Sequence, residues 1–207
     1  MTGETELHGL ARWEDRFSKP GYRFGTEPNI FLKSCADRIR PGMRALSIAD
    51  GEGRNGVWLA ERGCDVTAID FSPTALAKAS ALATERGVAL VTIEADITGW
   101  DWPEAEYDLI VGIFFQFLGP AARADVFAKV SAALKPGGVL LIQGYGLKQL
   151  TFATGGPSKA ENLYTEALIR DAFGSFSRLD VREHEAVLAE GTGHVGRSAL
   201  VDVTGVK

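Results

Sequence analysis

Cysteine is scarce: Cys35 and Cys64 are the two in 207 residues. They lie far apart and have no Cys or His at metal-type spacing. That argues against a disulfide framework and a metal site, and leaves them as small packing residues of a reducing compartment. No run of about 18 apolar residues occurs, so no membrane span is expected. The opening "MTGETELHGLARWEDRF" is acidic and polar and lacks the apolar core of a signal peptide. A cation excess is missing as well. Lys plus Arg is 22 against 27 Asp plus Glu, a net charge of −5, which does not suit a nucleic-acid partner. No internal repeat is present. These absences predict a cytoplasmic protein with a small-molecule partner, without membrane or nucleic acid, and leave its oligomeric state open.

What is present is a 45% hydrophobic chain, enough for a sizeable core, read as one domain over 1–207. Residues 1–40 form an N-terminal helical and lid-like segment. In it "TELHGLARWEDRF" has helical periodicity, "SKPGYRFGTEPNIFL" is turn-rich and aromatic, and "FLKSCADRI" is a helix stopped by Pro41-Gly42. From 41 to 207 strands and helices alternate. "RALSIA", "DVTAID", "VALVTIEAD", "YDLIVGIFFQFL" and "GVLLIQGYG" read as strands. "GRNGVWLAERG", "SPTALAKASALATERG" and "PAARADVFAKVSAALKPGG" read as helices, the second with Ser72 as N-cap and Pro73 at its first position. After the helix "TEALIRDAF", two strand-like arms flank the glycine-rich turn Gly191 to Gly196 and predict a hairpin. The expected fold is α/β: a Rossmann-like, doubly wound, mostly parallel seven-stranded sheet with an antiparallel C-terminal strand and helices on both faces.

Gly51-Glu52-Gly53-Arg54-Asn55-Gly56 spells G-x-G-x-x-G between a strand and a helix, and Asp70 closes the next strand 19 residues after Gly51. This is a nucleotide-cofactor fingerprint. Ligands of open parallel sheets sit outside the carboxyl ends of the strands, so the loop Ala49 to Gly53 faces the ligand. The helix from Arg54 offers free N–H groups, and Asp70 is placed to accept hydrogen bonds from ribose hydroxyls. A dehydrogenase needs a substrate half beyond the nucleotide half, and these residues hold no second domain. A small nucleoside ligand is therefore expected. A nicotinamide-dependent oxidoreductase and a non-catalytic cofactor-binding protein remain as alternatives.

The ordered set "GEGRNGVWLAERGCDVTAIDFSPTALAKA", "ADITGWDWPEAEYDLIVGIF" and "LKPGGVLLIQGY" resembles the class I S-adenosylmethionine-dependent methyltransferases. "YRFGTEPNIFL" and "TGGPSKAENLYT" look like the small bacterial branch that includes the tellurite-resistance enzymes. The resemblance implies S-adenosylmethionine as cofactor, with Gly51 and Gly53 beside its methionine part, Asp70 on the ribose and Phe71 against the adenine. It further implies Asp96 and Ile97 at the adenine edge, Gly112 and Ile113 beside the sulfonium, and Gly137-Gly138 as a turn. The chain departs from the family at Ser47, where an acid is usual, and at Ala49, where a glycine is usual. Two readings follow: Asp50 or Glu52 supplies the lost charge near the cofactor's ammonium group, or Ser47 packs and Asp50 pairs with Arg54.

A sulfonium methyl is already activated, so the protein mainly has to align a nucleophile, and a thiol or metalloid oxyanion needs little base. Trp13, Tyr22, Phe24, Phe114, Phe115 and Phe117 are the expected aromatic walls for a cationic ligand, with Tyr22 on the lid-like loop singled out for cofactor binding. Gln116, Tyr145 and His194 are the catalytic candidates, His194 in an exposed turn. His8 and His184 carry no signal. Arg54 and Lys148 are anion-contact candidates, and the loop "TFATGGPSKAEN" is expected to lack secondary structure and to cover the substrate.

Overall fold

The computed structural model describes residues 3–152 and 154–207, with side chains from Gly9 onward. His8 as a side chain, and Ala153 of the expected covering loop, lie outside the described residues. Seven strands form one sheet: β1 (Arg44–Ile48), β2 (Asp65–Asp70), β3 (Val91–Glu94), β4 (Tyr107–Ile113), β5 (Leu134–Tyr145), β6 (Arg178–Glu190) and β7 (His194–Val206). Their order is β3-β2-β1-β4-β5-β7-β6. The first five run parallel, and β7 lies antiparallel between β5 and β6. The expected sheet, with its reversed strand, is the one found.

The inner strands are apolar on both faces because helices cover both. α3 (Arg54–Glu61), α4 (Pro73–Arg86), α5 (Pro120–Ala133) and α6 (Glu166–Phe173) follow the strands. α1 (Gly3–Phe17) packs against α4, and the short α2 (Ile30–Ser34) follows it. One core cluster centres on Ile48, Ile110, Phe127 and Ile142, and another on Leu32, Leu59, Val111 and Leu141. Ser72 caps α4 as expected, accepting from the Ala75 N–H at 3.0 Å.

Three boundaries differ from the sequence reading. α5 stops at Ala133, and Leu134–Gly138 already belong to β5. Lys135 precedes Pro136, which disfavours helical geometry there, and Gly137 and Gly138 exchange backbone hydrogen bonds with Lys207. The helix expected over "FLKSCADRI" is α2 followed by a separate 3₁₀ turn at Ala36–Arg38. The loop after β5 carries 3₁₀ turns at Leu147–Thr151 and Ala160–Asn162.

Strand order reverses between β1 and β4, so a crevice opens at their carboxyl ends. The backbone there is unusual. Of three non-glycine residues with positive φ among the described residues, two sit just past these strands: Ala49 (φ 49°) and Phe114 (φ 57°). Gly53 has φ 92° and lies so close to α4 that a Cβ would meet the Ala79 Cα at 2.7 Å.

Two outcomes follow for chemical denaturation. Gly53→Ala lowers unfolding free energy by about 2–3 kcal/mol, because it adds a backbone clash to a left-handed conformation. Ala49→Gly raises it by about 0.5–1 kcal/mol, since relief of left-handed strain outweighs the added freedom of the unfolded chain. Urea-unfolding midpoints of both variants check this.

Candidate functional site

Two adjoining cavities of about 80 and 250 Å³ lie over the carboxyl ends of β1, β2 and β4. They share Trp13, Ala49, Asp70, Phe71 and Phe117. The larger runs toward Asp96, Ile97, Thr98 and Leu118. The smaller is enclosed by Phe17, Phe24, Ile113, Phe114 and His194, with Asp50, Gly51, Arg54 and Asn55 at its floor.

Asp70 stands at the seam. Its Oδ2 accepts from the Gly51 N–H at 2.9 Å, and its Oδ1 from the Ser72 N–H at 2.9 Å. Each oxygen keeps a lone pair for a ligand hydroxyl. Burial pushes its pKa up to about 6; the backbone donors oppose this, and the Asp50 charge adds to it. Asp96 commits Oδ1 to the Thr98 N–H and hydroxyl at 2.9 and 2.8 Å.

No acid stands at position 47, but the Asp50 carboxylate lies against the Ser47 side chain. Ser47 Oγ donates to Asp50 Oδ1 at 2.5 Å, and the Gly56 N–H donates to the same atom at 3.0 Å. Asp50 Oδ2 is buried and without a partner among the described residues. Burial raises the Asp50 pKa. Gly56 is required beside it, because a Cβ there would sit 2.5 Å from Oδ2. Neither half of the second sequence reading matches: Ser47 hydrogen-bonds rather than merely packs, and Arg54 pairs with Glu190 at 2.7 Å, both side chains buried. Glu52 turns away from the cavities to Lys78 Nζ at 2.8 Å and the Arg23 N–H at 2.6 Å. Of the two acids considered, Asp50 alone lines the site.

The N-terminal segment is strapped over the crevice. Lys78 Nζ donates to the carbonyls of Lys19 and Gly21 at 2.8 and 2.7 Å. Glu14 accepts from the hydroxyls of Ser72 and Thr74 at the N-terminus of α4, the latter at 2.5 Å. The β6–β7 turn closes from the other side, where the N–H groups of Thr192 and Gly193 donate to the Arg23 carbonyl at 2.8 and 3.1 Å.

His194 is not the solvated turn histidine that its sequence context implies. It opens β7, with its ring stacked between Phe24 (4.5 Å) and Phe114 (4.2 Å). Its Nδ1 lies 2.7 Å from the Tyr145 hydroxyl. Burial, followed by the charges of Arg54 and Arg23, pushes the His194 pKa down to about 3. Burial also drives the Tyr145 phenol well above its ordinary value. The pair is neutral across the physiological range, and His194 faces the smaller cavity.

Other expected site residues fall elsewhere. Gln116 lies under the site, its amide spent on the Tyr145 backbone N–H and carbonyl and the Asn162 carbonyl. It braces β5 and is corrected from a catalytic to a structural part. Tyr22 lines neither cavity: its ring packs with Val57, Leu82 and Ala83, and its hydroxyl donates to the Lys78 carbonyl at 3.3 Å. Phe24, two residues on, is the wall. Gly53 serves the contact between α3 and α4, Gly112 lies under the Phe115 ring, and Phe115 belongs to the core. Lys148 pairs with Glu185 at the surface. Phe17, Asn29 and Glu190 were not singled out in the sequence. Phe17 sits on the apolar stripe of α1 and was legible there; Asn29 and Glu190 meet only in three dimensions.

Residues 45–138 match the family model described as a methyltransferase domain. The chain is 30% identical over 138 residues to a glycine/sarcosine N-methyltransferase of Halorhodospira halochloris, covering 63% of this chain and 49% of that protein. It spans about half the length of the curated relatives it matches. TehB from Haemophilus influenzae superposes with a TM-score of 0.70 at 18% identity, covering 96% of this chain and 66% of that one. The magnesium protoporphyrin IX methyltransferase of Synechocystis, solved with bound SAH, superposes at 0.67 and 15% identity, covering 97% and 94%. These two likenesses are of fold. With its β3-β2-β1-β4-β5-β7-β6 sheet around the matched segment, the chain has the Rossmann-like fold of these methyltransferases.

Proposed function

We propose that the protein is an S-adenosylmethionine-dependent methyltransferase acting on a small molecule with a soft nucleophile, a thiol being favoured over a metalloid oxyanion. The observation that carries the cofactor reading is Asp70 at the seam of the two cavities, between an aromatic and apolar slot and an aromatic box. The residues present fit the cofactor. Asp70 would take the ribose hydroxyls, Phe71 and Ile97 the adenine faces, and Asp96 its edge. Asp50, with an unpartnered buried oxygen, supports the charge side of the methionine part. The bound cofactor supplies an activated methyl group.

The chain's own groups position the acceptor. His194 and Tyr145 do not titrate near neutrality, so a strong general base is lacking at this face. The Tyr145 phenol and His194 Nδ1 share a hydrogen bond; in the tautomer where the phenol is the donor, the imidazole hydrogen is on Nε2 and can donate to a thiolate. A thiol suits such a site because it ionises with little help. Phe24 and Phe114 hold the imidazole in place and exclude water. Arg54, the cation at the cavity floor, is neutralised by Glu190, which disfavours an inorganic oxyanion inside the box.

Isothermal titration is expected to give micromolar binding of S-adenosylmethionine and S-adenosylhomocysteine and none of NAD or NADP; the reverse pattern would restore the oxidoreductase reading. His194→Phe preserves the stack and the affinity for S-adenosylhomocysteine, but lowers turnover of thiol acceptors about 10- to 100-fold, the value of a hydrogen bond to a charged group.

Asp70 adds a pH signature of two opposed signs. Its carboxyl pKa, raised from 3.8 to about 6, means that the folded state binds the extra proton between these values. Its contribution to stability is complete below about pH 4 and is lost as pH rises through about 6. Affinity for the nucleoside runs the other way and falls as the carboxylate is protonated below about 6. Relative to Asp70→Asn, the native protein should gain melting temperature on acidification from pH 7 to 4. Its cofactor affinity should drop over the same interval, while the weakened affinity of the variant stays flat.

A further inference from the structure

The backbone of Tyr145 is held from two sides. Gln116 accepts from its N–H and donates to its carbonyl, the latter at 2.9 Å, and Leu200 of β7 stands opposite it in the ladder. Its ring then meets two stops. Phe114 is one, 4.7 Å away between ring centroids, in a left-handed conformation that a phenylalanine takes only under constraint. Gly156 is the other. A Cβ there would lie 2.9 Å from Tyr145 Cδ2 and 3.0 Å from Cγ, so the backbone can approach the ring only because no side chain intervenes.

The loop that carries Gly156 is anchored to the strand that carries His194. The buried Gln149 donates to Thr154 Oγ1 and to the Gly155 carbonyl, both at 3.0 Å, and accepts from the Ala199 N–H at 2.9 Å. Thr154 Oγ1 in turn donates to the Arg197 carbonyl at 2.6 Å. Arg197 and Ala199 follow His194 along β7. Gly155 and Gly156 both have positive φ, 118° and 82°, yet a Cβ on Gly155 would meet nothing within 4 Å. Gly155 serves the turn, and Gly156 serves the contact.

We propose that Gly156 is a positioning residue: it holds the Tyr145 phenol against His194 Nδ1 and thereby keeps the imidazole hydrogen on Nε2. The inference rests on the reading of His194 as a donor to the acceptor sulfur, and deepens it. Tyr145 is buried, and among the described residues its hydroxyl has no hydrogen-bond partner besides Nδ1, at 2.7 Å. A hydrogen on Nδ1 would leave the phenol hydrogen buried without an acceptor, at the full cost of its desolvation. The phenol therefore donates, and the hydrogen stays on Nε2 of a ring that lines the smaller cavity. A phenol displaced from Nδ1 removes this preference, and both neutral forms of the imidazole become populated.

The test reads the tautomer directly, by NMR of the full chain with isotope-labelled histidine ring nitrogens. At pH 7, well above the His194 pKa of about 3, the ring is neutral. The chain has three histidines, and His194→Phe identifies the resonances of His194. In the native chain Nδ1 should show as the bare nitrogen and Nε2 as the protonated one, widely separated in shift. Gly156→Ala should draw the two resonances together, and Tyr145→Phe should do the same without touching the loop. Gly155→Ala strains the same turn but has no contact with the ring, and should leave them at their native positions. If Gly156→Ala does not fold, Thr154→Val, which frees the loop from the Arg197 carbonyl, takes its place with the same expectation. Native resonances in the loop variant or in Tyr145→Phe, an equal change in Gly155→Ala, or a native hydrogen on Nδ1 would overturn the proposal. S-adenosylhomocysteine titrated into the same samples tests the methyltransferase reading separately. Its failure to bind would overturn that reading and leave the histidine resonances to decide the role of Gly156.

Discussion

The buried ion pair between Arg54 and Glu190 is the joint on which the site depends. Arg54 is the first residue of α3 and Glu190 the last of β6, so the pair ties the glycine loop to the far edge of the sheet. Asn29 completes the joint. Its side chain donates to Glu190 and to Gln143 Oε1 at 2.8 Å, and its backbone N–H donates to Asn55 at 3.0 Å. Gln143 passes the contact on to Asp202, and Asp202 to His184. A buried pair of this kind is costly to break from one side, about 3–5 kcal/mol, because the remaining charge has no solvent. The hydrogen bonds from Asn29 and Ile30 to Glu190 help hold both charges in place.

That joint sets three elements at once. It presents the loop after β1 to the cavities, and it seats the residues between α1 and α2 on the sheet. It also fixes the end of β6, so that the following turn reaches the Arg23 carbonyl. His194, four residues beyond Glu190, is thereby delivered between Phe24 and Phe114. Its depressed pKa is a consequence of this delivery: two aromatic faces and two guanidinium groups leave no room for a proton.

Ser47 and Asp50 show how a carboxylate can be brought beside a strand position that lacks one. The chain has no acid inside β1, yet a carboxylate reaches the Ser47 hydroxyl from three residues downstream. The cost appears nearby. Ala49 takes a left-handed conformation, and Gly56 must stay free of a side chain. Glycine at position 56 thus belongs to the carboxylate beneath it as much as to a ligand above.

The sequence by itself determined the alternation of strands and helices, the reversal at the C-terminal hairpin, and the placement of Gly51 and Asp70 around one crevice. These follow from periodicity, caps and turn residues, which act over a few positions and can be read along the chain. Only the tertiary structure decided which of the remaining residues face the cavities. Tyr22 turns into the packing of α3 and α4, Gln116 is consumed by backbone groups, and Phe24 and His194 form the wall instead. The reason is physical. A side chain's role in a site depends on which buried donors and acceptors it must satisfy, and its partners here lie 29, 114 and 161 residues away.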